Sequence, residues 1–417
     1  MSASKRIIKK NVGSEPLNGD SVLHKCARAN SAGGIENTAS TSHMNGKNNR
    51  QETALIVAAQ NSACRAMAAL IRRGVEVNHQ DGNGNTALHY SILTVSEKVV
   101  GILSTAASDF NTPNADGQTA IHLLALSNNV KLAKLVCRKL PFFKMDVIDQ
   151  NGYNPFIAAV VHGSLRMVDY FLHLGYDPTT RTRLNKTPLH IAIELNDFAM
   201  IKLLAKTPNI KNIDDNGHSA LTIAVGRGIE TAVDVLLQQD ADISQLDKTG
   251  NSMLHIACTG KSANILRHMF ELFPDLNIRN SSGEDPLHLA CALNKTAVVS
   301  ELCARRANIT AQDSRKRTPL MTAIMSGSQR SALVLLEWEF VRETNLIELS
   351  DENDMNALQF CILFNDQSTA ARIRAVELAL LNAQHATPPT QTLYLNTGDT
   401  SPPIYITADP LEIIEDE

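Results

Sequence analysis

Aromatic residues are scarce. They make up 4% of the 417 positions, with a single Trp, too few for the stacking platforms that hold single-stranded nucleic acid. An excess of one charge is missing too: 39 Lys and Arg against 43 Asp and Glu leave a net charge of −4. That is no basis for binding a phosphate backbone, and no direct nucleic-acid partner is expected. No apolar run is long enough to predict a membrane span. The opening MSASKRIIKK lacks the apolar core of a secretory signal. Seven Cys are scattered without a Cys-x-x-Cys pair, which points to reduced thiols and a cytoplasmic or nuclear location. The basic run Lys5 to Lys10 is too sparse to define a nuclear signal.

What is present is a period. Thr53, Thr86, Thr119, Asn154, Thr187, Ser219, Ser252, Asp285, Thr318 and Asn356 recur at intervals near 33 residues, and Ser21 starts a poorer copy. Two residues after each anchor stands a large apolar residue, such as Leu88, Leu189 or Leu320. Five after stands a small one, such as Ala58, Ala192 or Ala323. Two before, Gly recurs, and five before, Asp or Asn. Each column has a cause. Asp-x-x-Gly is turn chemistry. The Ser, Thr, Asn or Asp anchor is an N-cap. Pro188, Pro286 and Pro319 occupy the first helical position, where a missing N–H costs nothing. The apolar and small residues lie three apart on one helical face. A second apolar stripe seventeen residues after the anchor (Leu70, Phe171 and Leu335, for example) marks a second helix. Each copy therefore reads turn–helix–turn–helix.

Thr187-Pro188-Leu189-His190-Ile191-Ala192, Asp247-Lys248-Thr249-Gly250 and Asp285-Pro286-Leu287-His288-Leu289-Ala290 resemble the ankyrin repeat. The resemblance covers about ten full copies plus a partial N-terminal one. It implies an all-α solenoid of stacked antiparallel helix pairs with β-hairpin or turn fingers. At roughly 10 Å per copy, ten would extend roughly 100 Å. The expected organisation is a basic disordered tail over 1–16, a partial or degenerate first repeat over 17–48, the array over 49–381, and an acidic, Pro-containing disordered tail over 382–417. Residues 1–50 carry five excess positive charges, and 382–417 hold six acids with no Lys or Arg. The last copy, with Ile373, Val376 and Leu380, reads as a terminal cap.

Signatures of chemistry are absent. Six His (His24, His89, His122, His190, His255 and His288) fall in one column three after the anchor. Whole repeats separate them, so they cannot converge on one ion. Each is expected to bond the turn of its own copy. Asp81-Gly82-Asn83-Gly84-Asn85-Thr86-Ala87 mimics a dinucleotide fingerprint, but its glycines belong to the repeat turn and no strand precedes it. No nucleophile elbow, Walker loop or kinase set occurs. No catalytic, cofactor-binding or metal-binding residue is assigned, no cofactor is expected, and the chain is read as not an enzyme.

The column just before the anchor is very mixed, from Tyr153 and Lys186 to Glu284 and Arg317. The resemblance places it on fingers that, with the first helices, line a concave partner-binding face. Two fingers give up the favoured turn glycine and gain positive charge: Arg181, Arg183 and Lys186 on one, Arg315, Lys316 and Arg317 on the other. These six are the candidate partner-binding residues, anchors for an acidic segment. Arg315→Glu with Arg317→Glu is expected to weaken binding and spare stability. Asn78 and Asn111 follow a spacing that the resemblance associates with asparagine hydroxylation. The function expected is a monomeric, non-catalytic protein–protein interaction scaffold or regulatory adaptor. The alternatives are an inhibitor-of-NF-κB-like transcription-factor regulator, or a substrate-recognition or regulatory subunit of a ubiquitin ligase or phosphatase.

Overall fold

The structure, a computed structural model, describes residues 19–38, 43–106, 108–137, 146–338, 341, 344–384, 392–394 and 405–407. The expected basic tail over 1–16, and most of 382–417, lie outside the described residues.

The chain divides into two compact bodies, Met1–Leu272 and Phe273–Glu417. The first is built from helix pairs: α1 (Val22–Arg28) with α2 (Ala32–Glu36), α3 (Ala54–Gln60) with α4 (Cys64–Arg72), α5 (Ala87–Leu93) with α6 (Glu97–Leu103), α7 (Ala120–Ser127) with α8 (Val130–Cys137), α9 (Pro155–Val161) with α10 (Leu165–His173), α11 (Pro188–Glu194) with α12 (Phe198–Leu204), α13 (Ala220–Arg227) with α14 (Glu230–Leu237), and α15 (Met253–Thr259) with α16 (Ala263–Leu272). First helices pack on first helices and second on second along this body. The second body repeats the scheme with α17 (Pro286–Ala292) and α18 (Thr296–Ala304), α19 (Pro319–Met325) and α20 (Gln329–Glu337), and α21 (Ala357–Leu363) and α22 (Gln367–Gln384).

The columns explain the pairs. Asn154 Oδ1 accepts from Ile157 N at 2.8 Å and Asp285 Oδ1 from His288 N at 3.0 Å, satisfying donors that a helix start leaves open. The apolar stripes meet between the two helices, where Leu55, Leu70, Phe156, Phe171, Leu320 and Leu335 are buried. Around Phe171 the core is aromatic, its ring centroid 4.6 Å from that of Tyr176, a contact that adds to the area buried.

The fingers are turns held by their Asp. In one, Asp81 Oδ1 accepts from Asn83 N at 2.9 Å and Asn85 N at 2.8 Å. Its tip reaches the next finger: Ala115 N donates to Asn83 O at 3.0 Å. A Cβ on Gly84, whose φ is +72°, would stand 2.7 Å from Ala115 N, so glycine serves both the turn and the close approach. Hydrogen bonding stays too sparse for continuous strands in the fingers, leaving isolated bridges such as Ile213 with Ser219.

The two ends of the array take definite form among the described residues. The second half of the first copy is a short helix: Ile35 is fully buried, and Arg73 Nη1 donates to Thr38 O at 2.8 Å. The acidic tail is not wholly without structure. α22 runs to Gln384 through strong helix formers, and β1 (Thr392–Tyr394) pairs antiparallel with β2 (Tyr405–Thr407), both β-branched and aromatic. In the last copy, read as a terminal cap, Ile373 and Val376 are buried.

Candidate functional site

The histidine column has a second partner beyond the one expected. His190 Nδ1 accepts from Thr187 N at 3.2 Å and lies 2.7 Å from Thr187 Oγ1, inside its own copy. Its Nε2 donates to His218 O at 3.0 Å, in the next copy. His89 and His122 repeat the arrangement with Gln118 O and Tyr153 O. These rings join neighbouring copies and are neutral, since Nδ1 accepts and Nε2 donates. Burial, opposed by the bond to the next carbonyl, pushes all three below the ordinary histidine value. His288 differs because Asp285 replaces Thr or Ser. Burial alone would lower it, but the carboxylate 2.8 Å from Nδ1 raises it.

The face of the first body lined by fingers and first helices carries two adjoining hollows. One, of about 260 Å³, is walled by Tyr153, Arg183, Leu184, Lys186, Ile191 and Leu195. The other, of about 400 Å³, is walled by Lys186, Glu194, His218, Arg227, Asp247 and Ile256. Lys186 and Glu194 form the ridge between them, paired at 2.7 Å. Arg227 Nη1 donates to Glu194 O at 2.7 Å from the far side. Leu184, on a finger tip, is 61% exposed, and Leu195 at the end of α11 is exposed as well. The first hollow thus offers an apolar wall with a cationic edge. The second is mixed in charge. Burial would raise Asp247, but donors from Thr249 and Asn251 hold it below the ordinary carboxylate value, so it stays anionic near neutrality.

The six basic candidates do not behave alike, and they fall in different bodies. Arg181 is a finger tie: its Nη1 donates to Ile213 O at 2.9 Å and Asn185 O at 3.3 Å. Gln80, bonded to Gly84 O and Pro113 O, and Gln312, bonded to Lys316 O and Ser350 O, do the same job in the same column. Lys186 is held by Glu194. Arg317 is taken up by Asp313, with Nε 2.8 Å from Oδ2. Arg183, Arg315 and Lys316 are exposed, and their charged groups make no hydrogen bond or ion pair among the described residues. Lys316 and Asn185 occupy the glycine place with φ of +58° and +60°. Asn78 Oδ1 accepts from Asp109 N at 2.8 Å, a link between copies repeated by Asn277 with Asn308 N at 3.0 Å. Asn111 donates its N–H to Asp109 Oδ1 at 2.9 Å.

Leu184, Leu195, Glu194 and Arg227 were not singled out from the sequence. The signal available was weak: apolar residues where the neighbouring copies carry polar ones. Among the described residues no group of three His, Cys, Asp or Glu is placed to hold a metal ion. No helix among them is long and apolar enough to cross a membrane.

A family model described as ankyrin repeats (3 copies) matches five overlapping stretches, 23–114, 97–182, 174–247, 229–313 and 254–345. The chain belongs to the ankyrin-repeat family. Over 136 residues it is 29% identical to alpha-latrotoxin-Lg1a of Latrodectus geometricus, covering 32% of this chain and 10% of the toxin. Over 124 residues it is 28% identical to the ANK repeat-containing protein nipk-1 of Caenorhabditis elegans, covering 27% of this chain and 20% of that protein. Over 164 residues it is 26% identical to the nuclear factor NF-kappa-B p105 subunit of Gallus gallus, covering 38% and 17%. The chain spans no more than a fifth of the length of these relatives. Among solved structures, the ankyrin repeat domain of Bcl-3 superposes with a TM-score of 0.50 at 24% identity, over 52% of this chain and 98% of that one. That likeness concerns the fold.

Proposed function

We propose that this chain is a non-catalytic scaffold or regulatory adaptor of the cytoplasm or nucleus, working as a monomer. It captures a partner polypeptide on the finger and first-helix face of the first body. The observation that carries this reading is the hollow between Tyr153 and Leu195, where exposed Leu184 and Leu195 stand beside the unengaged Arg183. Such a surface suits a segment that inserts a large apolar side chain and places an acidic residue next to it. Burying an apolar anchor in a pocket supplies most of the affinity in such contacts. The exposed Arg315 and Lys316 of the second body add a second acidic-segment contact. Affinity purification of wild type beside Leu184→Asp with Leu195→Asp tests the reading. Both side chains are exposed, so the fold is kept while partner recovery falls about tenfold, on the order of 1.4 kcal/mol. An unchanged partner set would refute it.

The likeness to p105 favours one second reading, an inhibitor-of-NF-κB-like regulator. Under it, Rel-type transcription factors dominate the purified set, and their absence rejects it.

A further inference from the structure

The last helix pair of the second body has an apolar face that nothing among the described residues covers. The position six residues after each N-cap shows it. Ile92, Val160, Ile193, Val225 and Ile324 hold this place in earlier copies and are at most 1% exposed, whereas Ile362 is 67% exposed. Leu358, in a column otherwise fully buried, is only half-buried. Leu363 and Phe364 are exposed beside Ile362. On α22, Ala371, Ala375 and Leu378 follow at spacings of four and three, with Leu381 next, all exposed. That spacing makes one stripe along the helix. An uncovered apolar strip on a terminal copy invites association, because terminal copies of solenoids ordinarily show water a polar outer side.

The same body contains a segment with the opposite difficulty. Among the described residues β1 and β2 pair only with each other, Leu393 opposite Ile406 and Tyr394 opposite Tyr405. A lone two-stranded ribbon is marginal in water and needs an apolar surface to rest on. We propose that the ribbon segment 392–407 of this chain docks on the Ile362, Leu378 and Leu381 face and closes the second body as an intramolecular cap. Reach permits it. Seven residues separate Gln384 from Thr392 and span up to about 25 Å. Leu378 lies only about 9 Å back along the helix from Gln384. The tether supplies an effective concentration on the order of millimolar, which favours this occupant over a second copy of the chain. Charge agrees: Asp399 is the one charged residue of 392–407 and five more acids follow it by 417, while α22 exposes Arg372 and Arg374.

Hydrogen exchange on the full-length protein tests this, with light scattering alongside. Leu393→Asp with Ile406→Asp alters the ribbon and leaves the body untouched. Exchange should then rise roughly tenfold or more both at 392–407 and along 358–364 and 374–382. Ile362→Asp with Leu378→Asp should release 392–407 equally. Coil-like exchange at 392–407 in the wild type, unchanged by the face variant, overturns the proposal. So does a dimer whose dissociation on dilution exposes the face, for the occupant is then a second copy.

Discussion

His190→Ala removes a ring that ties two copies together. The Nε2–H bond to His218 O at 3.0 Å is lost, and Thr187 N loses the acceptor it holds at 3.2 Å. His190 and Thr187 are fully buried, so water cannot readily reach Thr187 N. A buried polar group left unsatisfied costs about 1–3 kcal/mol. His218 O keeps its bond from Asp214 N at 2.9 Å, so the orphaned Thr187 N, the lost bond between copies and the small cavity left by the imidazole bring the loss to about 2–4 kcal/mol. One of the broken bonds crosses between neighbouring copies, so the loss weakens their coupling as well as one copy's own stability. Urea unfolding followed by circular dichroism should therefore show a lower midpoint and a shallower transition. His162→Ala is the control. His162 is exposed, and its Nδ1 contacts only the carbonyl of Ala158 in its own helix, at 3.0 Å, so it should cost under about 0.5 kcal/mol. If the two variants unfold alike, the histidine column does not join the copies and the account of cohesion is wrong.

Gly84→Ala should lower stability by roughly 1–2 kcal/mol, since the new Cβ meets a backbone atom of the next finger at a positive φ; a neutral effect on the melting temperature contradicts the finger contact. The depressed histidines set a direction with pH. Unfolded, His89, His122 and His190 take up protons near pH 6.5, above their folded values, so the stability present above that pH erodes as pH falls below it. His288 works the other way: its contribution is present below about pH 6.5 and fades as pH rises through its raised folded value. Thermal melts between pH 5 and 8 should show the acid loss, reduced in His122→Gln; an unaltered slope in that variant contradicts the assignment. Arg315→Glu should leave the melting temperature within a degree or so, whereas Arg317→Glu should lower it by several degrees, because it sets two carboxylates together at buried Asp313; equal effects refute the distinction.

How much was legible in the sequence depends on whether a feature repeats. The caps at Thr86 or Asn154 and the stripes through Leu189 or Leu335 recur, and repetition converts a weak propensity into a definite fold. The second partner of His190 was not legible, because a period names columns but not which backbone carbonyl of the next copy approaches them. Arg181 was read as a binding residue since its charge stood out. Its work is done by reach and donor number, which Gln80 and Gln312 share without the charge. Arg317 beside Arg315 looked equivalent, yet four residues of turn bring it back onto Asp313. Ile362 has the residue type its buried column demands, so only the structure reveals that it faces outward. The hollow at Leu184 and Leu195 depends on two copies side by side, a juxtaposition no single motif records.

The central claim is that partners dock on the finger and first-helix face. A photoreactive amino acid placed in cells at Leu184 or Leu195, beside one at the exposed outer position Arg166 on α10, tests it directly. Covalent partner adducts at 184 and 195, and none at 166, are the predicted result. Adducts confined to 166 would contradict the account.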